Sequence, residues 1–132
     1  MDAEYQIDCF EESLKNKTFL ADAVPIYMPN LGPELCATLF GGELEFGDTT
    51  SWSRPIINNC TEVLGIQPHF DNPCWKRIKD MTALSLERGK GRWITGISDL
   101  HTNGDVLAAL RGPERLCMEI LDDPAAVQKA CD

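Results

Sequence analysis

The chain has 132 residues, of which 43% are hydrophobic and 25% are charged, and its formal net charge at pH 7 is -9. This length is sufficient for one domain with a buried core, and the balance of apolar and charged residues excludes a wholly disordered chain. The negative charge disfavours a nucleic-acid partner, because a polyanion would be repelled. The basic residues between Lys76 and Arg92 share their segment with Asp80 and Glu87, so we interpret them as a solvated helix face.

Membrane and secretion signals are missing from the sequence. No apolar run approaches the roughly 20 residues of a membrane helix, and the first residues lack the basic and apolar pattern of a signal peptide. We therefore expect a cytoplasmic protein without a membrane partner. The 6 cysteines are widely spaced and include no Cys-x-x-Cys pair, which predicts free thiols, no metal site and no bound cofactor.

The first half of the chain alternates short helical and extended patterns. Apolar residues at helical spacing predict an amphipathic helix that ends near Asn16, and a buried extended segment follows, with a strand over Val24 to Met28. Pro33 suits the first turn of a short helix that would end at Gly41. The next predicted pieces are a strand over Glu43 to Phe46, a loop over Gly47 to Ser53, an extended piece over Arg54 to Ile57 and a connection over Gly65 to Pro73.

The second half is predominantly helical. A helix is predicted over Pro73 to Arg88 with Asn72 as its N-cap, followed by a buried strand over Trp93 to Ile97. Three more helices are predicted: Asp105 to Leu110, one opened by Pro113, and Ala125 to Cys131. This order of elements predicts α/β architecture with a parallel sheet. The predicted strands are too few for a closed eight-stranded barrel, which needs roughly 200 residues or more, so we expect part of a larger fold.

Polar side chains directly follow the second predicted strand. Asp99 and His101 alternate at its C-terminal end, where α/β barrels place their chemistry. A carboxylate beside an imidazole can act as acid and base or share a metal, which makes this pair the candidate catalytic site. The alternative is that Asp99 caps the next helix and His101 is a solvated loop residue. Asn103 or Asp105 fits the N-cap position better than Asp99.

Two other places offer candidate substrate-binding residues. The loop with Asp48, Thr49 and Trp52 combines a carboxylate, hydroxyls and an indole, which suits a flat polar ligand, although loop packing would explain it as well. Arg111 follows an apolar helix face and could bind a substrate carboxylate. The favoured interpretation is that it bonds the last carbonyls of its helix or pairs with Glu114.

Several segments resemble the uroporphyrinogen decarboxylase-like family, which also includes methylcobamide:coenzyme M methyltransferase-type proteins. The most specific is Asp99-Leu100-His101 followed by the run from Asp105 to Gly112. The others are Phe19 to Pro25, Asn30 to Glu34, Gly42 to Trp52 and Asp122 to Val127. The resemblance covers nearly the whole chain beyond Asp8.

The resemblance implies a TIM barrel, of which residues 1–132 would form a single partial domain with the early strands and helices only. The family's Arg-rich carboxylate-binding motif would precede residue 1, and its later Tyr, Ser and His residues, with the zinc ligands of the methyltransferases, would follow residue 132. Asn30 is the nearest counterpart of the family Asp that contacts pyrrole nitrogens. An amide carries no charge, so it cannot stabilise a developing pyrrole cation as a carboxylate can.

The resemblance therefore implies a lyase of porphyrin metabolism or a corrinoid-linked methyltransferase, not active without the missing segments. Its substrate would be a tetrapyrrole or a methylated compound, and a corrinoid protein or a second copy of the chain are candidate partners. The alternative is a non-catalytic binding or assembly module that self-associates through an open sheet edge. A truncated reading frame without activity is the third interpretation.

Overall fold

A computed structural model describes residues 2–132, which form a mixed α/β structure with about half of the residues in helices. The strands of this described part pair into two two-stranded sheets and do not form a closed barrel. The chain divides into two compact units. The prediction of α/β architecture is confirmed at this level.

The first unit contains residues 2–30 and Lys76–Ser98 and is built around a parallel pair of strands. Strands β1 (Ile26–Tyr27) and β4 (Ile94–Thr95) pair in parallel, with Ile26 opposite Ile94. Both are shorter than the predicted strands. Further hydrogen bonds extend the pair, because the Ile94 N–H donates to the Pro25 carbonyl at 2.9 Å and the Gly96 N–H donates to the Tyr27 carbonyl at 2.7 Å. The predicted parallel sheet is therefore present as one short pair.

Helices α1 (Ala3–Lys15) and α2 (Pro73–Arg88) provide the side chains that cover one face of this pair. Phe10 of α1 makes edge-on ring contacts with Tyr27 and Trp93, with centroid distances of 5.1 and 5.4 Å. The buried Ser85 hydroxyl of α2 accepts a hydrogen bond from the Trp93 indole at 2.9 Å and lies 2.7 Å from the Thr95 hydroxyl. Side chains alternate along a strand, so these contacts define a helix-covered face.

The opposite face of the parallel pair is apolar and exposed. Ile26 and Ile94, which are register partners, are 53% and 54% exposed, and Val24 and Met28 are each 51% exposed. Parallel sheets are normally covered on both faces, because their crossover helices lie on them. This face therefore has the apolar composition of a buried sheet surface, but its side chains are exposed.

The second unit contains Leu31–Trp75 and Asp99–Asp132. Strands β2 (Glu43–Phe46) and β3 (Ser51–Arg54) form an antiparallel hairpin, and helices α3 (Gly104–Arg111), α4 (Pro113–Asp122) and α5 (Pro124–Cys131) follow one another. Two 3-10 helices, Leu35–Phe40 and Cys60–Gly65, complete the unit. Its core consists of buried apolar residues from these helices and loops: Cys36, Ala37, Leu39, Ile57, Cys60, Val106, Leu107, Ala109, Leu110 and Leu116.

The predicted loop over Gly47 to Ser53 is wrong in its second half, since β3 begins at Ser51. The inward positions of β3 are Ser51 and Ser53, so the strand lacks the apolar alternation by which half-buried strands are predicted. Tertiary hydrogen bonds involve the Ser51 side chain and the Ser53 backbone, whereas the buried Ser53 hydroxyl has no hydrogen-bond partner among the described residues. The Ser51 hydroxyl donates to the Leu31 carbonyl at 2.5 Å, and the Ser53 N–H donates to the Glu34 carboxylate.

The helix predictions agree closely with the structure. The Asn72 side chain accepts the Trp75 N–H at 2.8 Å, which confirms it as the N-cap of α2. The short helix before Gly41 is a 3-10 helix, and Gly41 ends it with a φ of 91°. The 3-10 helix Cys60–Gly65 was not predicted, because its apolar residues are too few to show a helical period.

Candidate functional site

The structure brings Asp99 and His101 into direct contact. The Asp99 Oδ2 and His101 Nε2 atoms are 3.0 Å apart, and the His101 Nδ1 atom lies 3.5 Å from Oδ2 of Asp105 in the first turn of α3. The imidazole is 42% exposed and the two carboxylates are more exposed still. Both ring nitrogens therefore face a carboxylate oxygen at a position that solvent can reach.

The start of α3 orients this cluster. Asn103 occupies the N-cap position with a φ of 54°, but its side chain makes no cap hydrogen bond. The predicted N-cap position of Asn103 is therefore confirmed, and Asp105 lies in the first turn of the helix. Asp105 lies four residues after His101, one helical turn along the chain. A negative charge in the first turn of a helix also suits the helix dipole.

This arrangement suits proton transfer. An ionised carboxylate only accepts hydrogen bonds, so the contact with Asp99 favours the His101 tautomer that carries a proton on Nε2. A proton taken up at Nδ1 produces an imidazolium ion between two carboxylates. Orientation of a histidine by a carboxylate is the arrangement by which enzymes prepare a general base. Among residues 2–132, no group of three or more His, Cys, Asp or Glu side chains is placed to hold a metal ion.

Arg111 belongs to a different cluster. It is the last residue of α3, an eight-residue helix, so it lies about 10 Å along the axis from the helix start. Its Nε donates to Glu119 at 2.7 Å, and the other oxygen of that carboxylate accepts the Cys60 N–H at 2.6 Å. The predicted partner Glu114 is therefore wrong, because α4 places Glu119 against the Arg111 side chain. Arg111 therefore forms an ion pair with Glu119 inside the second unit.

Burial and hydrogen bonding perturb this second cluster. Arg111 and Glu119 are each only 14% exposed. The Cys60 N–H and, after it, the Arg111 guanidinium hold the pKa of Glu119 below its usual value. Burial, followed by the hydrogen bond to Glu119, raises the pKa of the Cys60 thiol to about 11. Cys60 is thus a neutral core thiol at physiological pH.

The remaining candidates belong to the β2–β3 hairpin and to the segment after β1. Trp52 is 46% exposed on β3, and its indole N–H donates to the opposite Glu45 carboxylate at 2.9 Å. Asp48 lies exposed in the turn of the same hairpin. Packing within the hairpin accounts for Trp52, because its ring also leaves no room for a side chain at Gly47. Asn30 is exposed at the end of the segment after β1, in the first unit.

Sequence reasoning did not identify Glu119 or the role of Asp105. The spacing of His101 and Asp105 by four residues at a helix start could have indicated their contact. Nothing local in the sequence connects Cys60 with Glu119, since 59 positions separate them.

Comparison with known proteins finds no match to a family model, to a curated protein or to a solved structure. In residues 2–132, none of the helices combines the length and the apolar composition needed to cross a bilayer.

Proposed function

We propose that this chain provides the early strands and helices of a barrel enzyme similar to the uroporphyrinogen decarboxylases, with Asp99 and His101 as its acid–base pair. The single observation that carries the proposal is the 3.0 Å contact between an exposed imidazole and an exposed carboxylate directly after a parallel strand. The C-terminal ends of parallel strands are where barrel enzymes hold their catalytic residues.

The parallel pair supports the barrel part of the proposal. In a barrel, each strand has helices on its outer face and apolar side chains on its inner face. Strands β1 and β4 show both features, with Phe10 and Ser85 against one face and exposed Ile26 and Ile94 on the other. The long connection between the two strands includes α2, as a parallel crossover requires.

The chemistry proceeds by proton transfer at His101. In a decarboxylation, the carbon–carboxylate bond breaks to release carbon dioxide, and the imidazolium Nδ1 proton replaces the carboxylate on carbon. Asp99 keeps the ring in one tautomer, and Asp105 stabilises the charge that the ring carries before it donates.

Turnover assays on the product of the full reading frame test this proposal, with uroporphyrinogen and with methylated compounds plus methylcobalamin. We expect Asp99→Asn and His101→Ala to lower turnover by about 100-fold or more, the usual contribution of a general acid or base. Both side chains are exposed, so the melting temperature should remain near that of the native chain. Asp80→Asn, an exposed aspartate on α2, is the matched control. Unchanged turnover in both site variants would remove the pair from the mechanism.

A second candidate function is self-association as a non-catalytic module. The observation that favours it is that both described sheets have only two strands, so each leaves unpaired edges. Sedimentation at several concentrations tests it. A concentration-dependent dimer that Ile94→Lys abolishes supports the module, whereas a compact monomer at every concentration excludes it.

A further inference from the structure

The second unit contains a cavity of about 310 Å³ among α3, α5 and the two 3-10 helices. Apolar side chains form its walls, among them Phe40, Val63, Val106 and Leu107. Neither Asp99 nor His101 lines it, so this space is separate from the proposed catalytic pair.

The cavity is open to solvent, because Thr102, Asn103 and Asp132 in its lining are exposed. An apolar cavity of about 150 Å³ is enough to bind benzene, and ligand pockets begin at about 300 Å³. The space beside Phe40 therefore accommodates a bicyclic ring, and the Phe40 ring can stack on such a ligand or meet its edge.

Three polar residues line part of the cavity. They are Thr102 and Asn103, whose side chains both donate and accept hydrogen bonds, and Asp132, whose ionised carboxylate only accepts them. The Asn103 side chain is not used to cap α3, and one Asp132 oxygen accepts a hydrogen bond from Gln128 at 2.9 Å. Burial raises the pKa of the Cys36 thiol in the wall, and Asp132 is the carboxylate residue in the lining.

We propose that this cavity binds a small arylalkylamine, with the ring against Phe40 and Val106 and the amino group hydrogen-bonded to the Asp132 carboxylate. The ring matches the apolar walls in character and size. An ammonium group is attracted by the Asp132 carboxylate, whereas a carboxylate at the same place would be repelled by it. This binding site goes beyond the proposed acid–base function and does not depend on it.

Isothermal titration calorimetry of the full chain with tryptamine tests the proposal. We expect a dissociation constant on the order of 1 mM or below, as suits a ligand with so few atoms. Indole-3-acetate, which has the same ring and the opposite charge, should bind at least about fivefold more weakly, and Asp132→Asn should remove that difference. No saturable binding of tryptamine, or equal binding of the two probes to the native chain, overturns the proposal.

A pair of variants on α5 locates the binding site. Ala130→Phe fills the cavity from its wall and should weaken tryptamine binding at least about tenfold, whereas Ala125→Phe makes the same change at an exposed position and should leave binding unchanged. Equal effects of the two substitutions contradict the location.

If Ala130→Phe does not fold, the amide chemical shifts of the native chain locate the binding site instead. Tryptamine should shift the Val106 and Leu107 signals most, and shifts confined to other residues overturn the proposal.

Discussion

Glu119 is expected to be the carboxylate whose loss most destabilises the second unit. It accepts hydrogen bonds from the Arg111 guanidinium at 2.7 Å and from the Cys60 N–H at 2.6 Å, on different oxygens. Glu119→Ala removes both interactions at once. It leaves a guanidinium that is 14% exposed without its counter-ion and a buried backbone N–H without an acceptor.

The size of the effect follows from these two losses. Breaking a buried ion pair by removing one partner costs about 3–5 kcal/mol, and an unpaired buried donor costs about 1–3 kcal/mol. The carboxylate is shared and slightly exposed, so the two costs do not add fully, and we expect a loss of about 3 kcal/mol. Glu119→Gln keeps an acceptor for the Cys60 N–H and should lose only about 1–2 kcal/mol.

Urea unfolding followed by circular dichroism measures these losses. Glu114→Ala, an exposed glutamate on the same helix, is the control and should lose less than about 1 kcal/mol, since only its interaction with the helix dipole is removed. A loss for Glu119→Ala that equals the loss for Glu114→Ala would refute the reasoning. It would show that the ion pair does not outweigh the cost of removing its charges from water.

The stability of the chain at acidic pH provides an independent check on the contribution of Glu119. The folded-state pKa of Glu119 lies below its ordinary value of 4.5, so its stabilising contribution is present at neutral pH and is lost as the pH falls through the lowered pKa. The stability difference between the native chain and Glu119→Gln should therefore shrink below pH 4.5. A difference that stays constant down to about pH 3 contradicts the lowered pKa.

The other predictions concern close packing and a buried hydrogen bond. Gly32→Ala should destabilise the chain by about 2 kcal/mol or more, because Gly32 has a φ of 112° and a Cβ there would overlap the Ser51 hydroxyl. Gly104→Ala meets open space at the start of α3 and should raise stability by up to about 1 kcal/mol, so equal effects of the two glycine variants in urea unfolding would contradict the packing. Ser85→Ala should cost about 1–3 kcal/mol, because the buried indole N–H of Trp93 loses its acceptor. Thermal melting checks this, and an unchanged midpoint would show that the indole finds another partner.

The helices could be predicted because their signals are local. The helix over Pro73 to Arg88 has the predicted bounds, and its Asn72 cap is a bond across three residues. The parallel pairing of the strands near Ile26 and Ile94 also follows from the order of elements, since a helix-containing connection returns the chain in the same direction. The contact of Asp99 with His101 spans only two positions. Side chains two positions apart in an extended segment lie on the same side, so the sequence could indicate this contact.

Only the tertiary structure decided the features that depend on distant residues. Strand β3 pairs through Ser51 and Ser53, whose polar side chains carry no strand signal of their own. The Arg111 side chain meets Glu119 because α3 and α4 pack together, and the turn between the helices determines which glutamate faces it.

The sequence by itself determined the helices and the Asp99 and His101 pair, because hydrogen bonds and periodicity between near neighbours specify them. The tertiary structure decided the buried Glu119 cluster and the cavity beside Phe40. The first joins Cys60 with Glu119 across 59 positions, and the second joins Phe40 with Val106 across 66 positions. Such contacts depend on how whole elements pack, and that packing is a property of the complete set of residues rather than of any single segment.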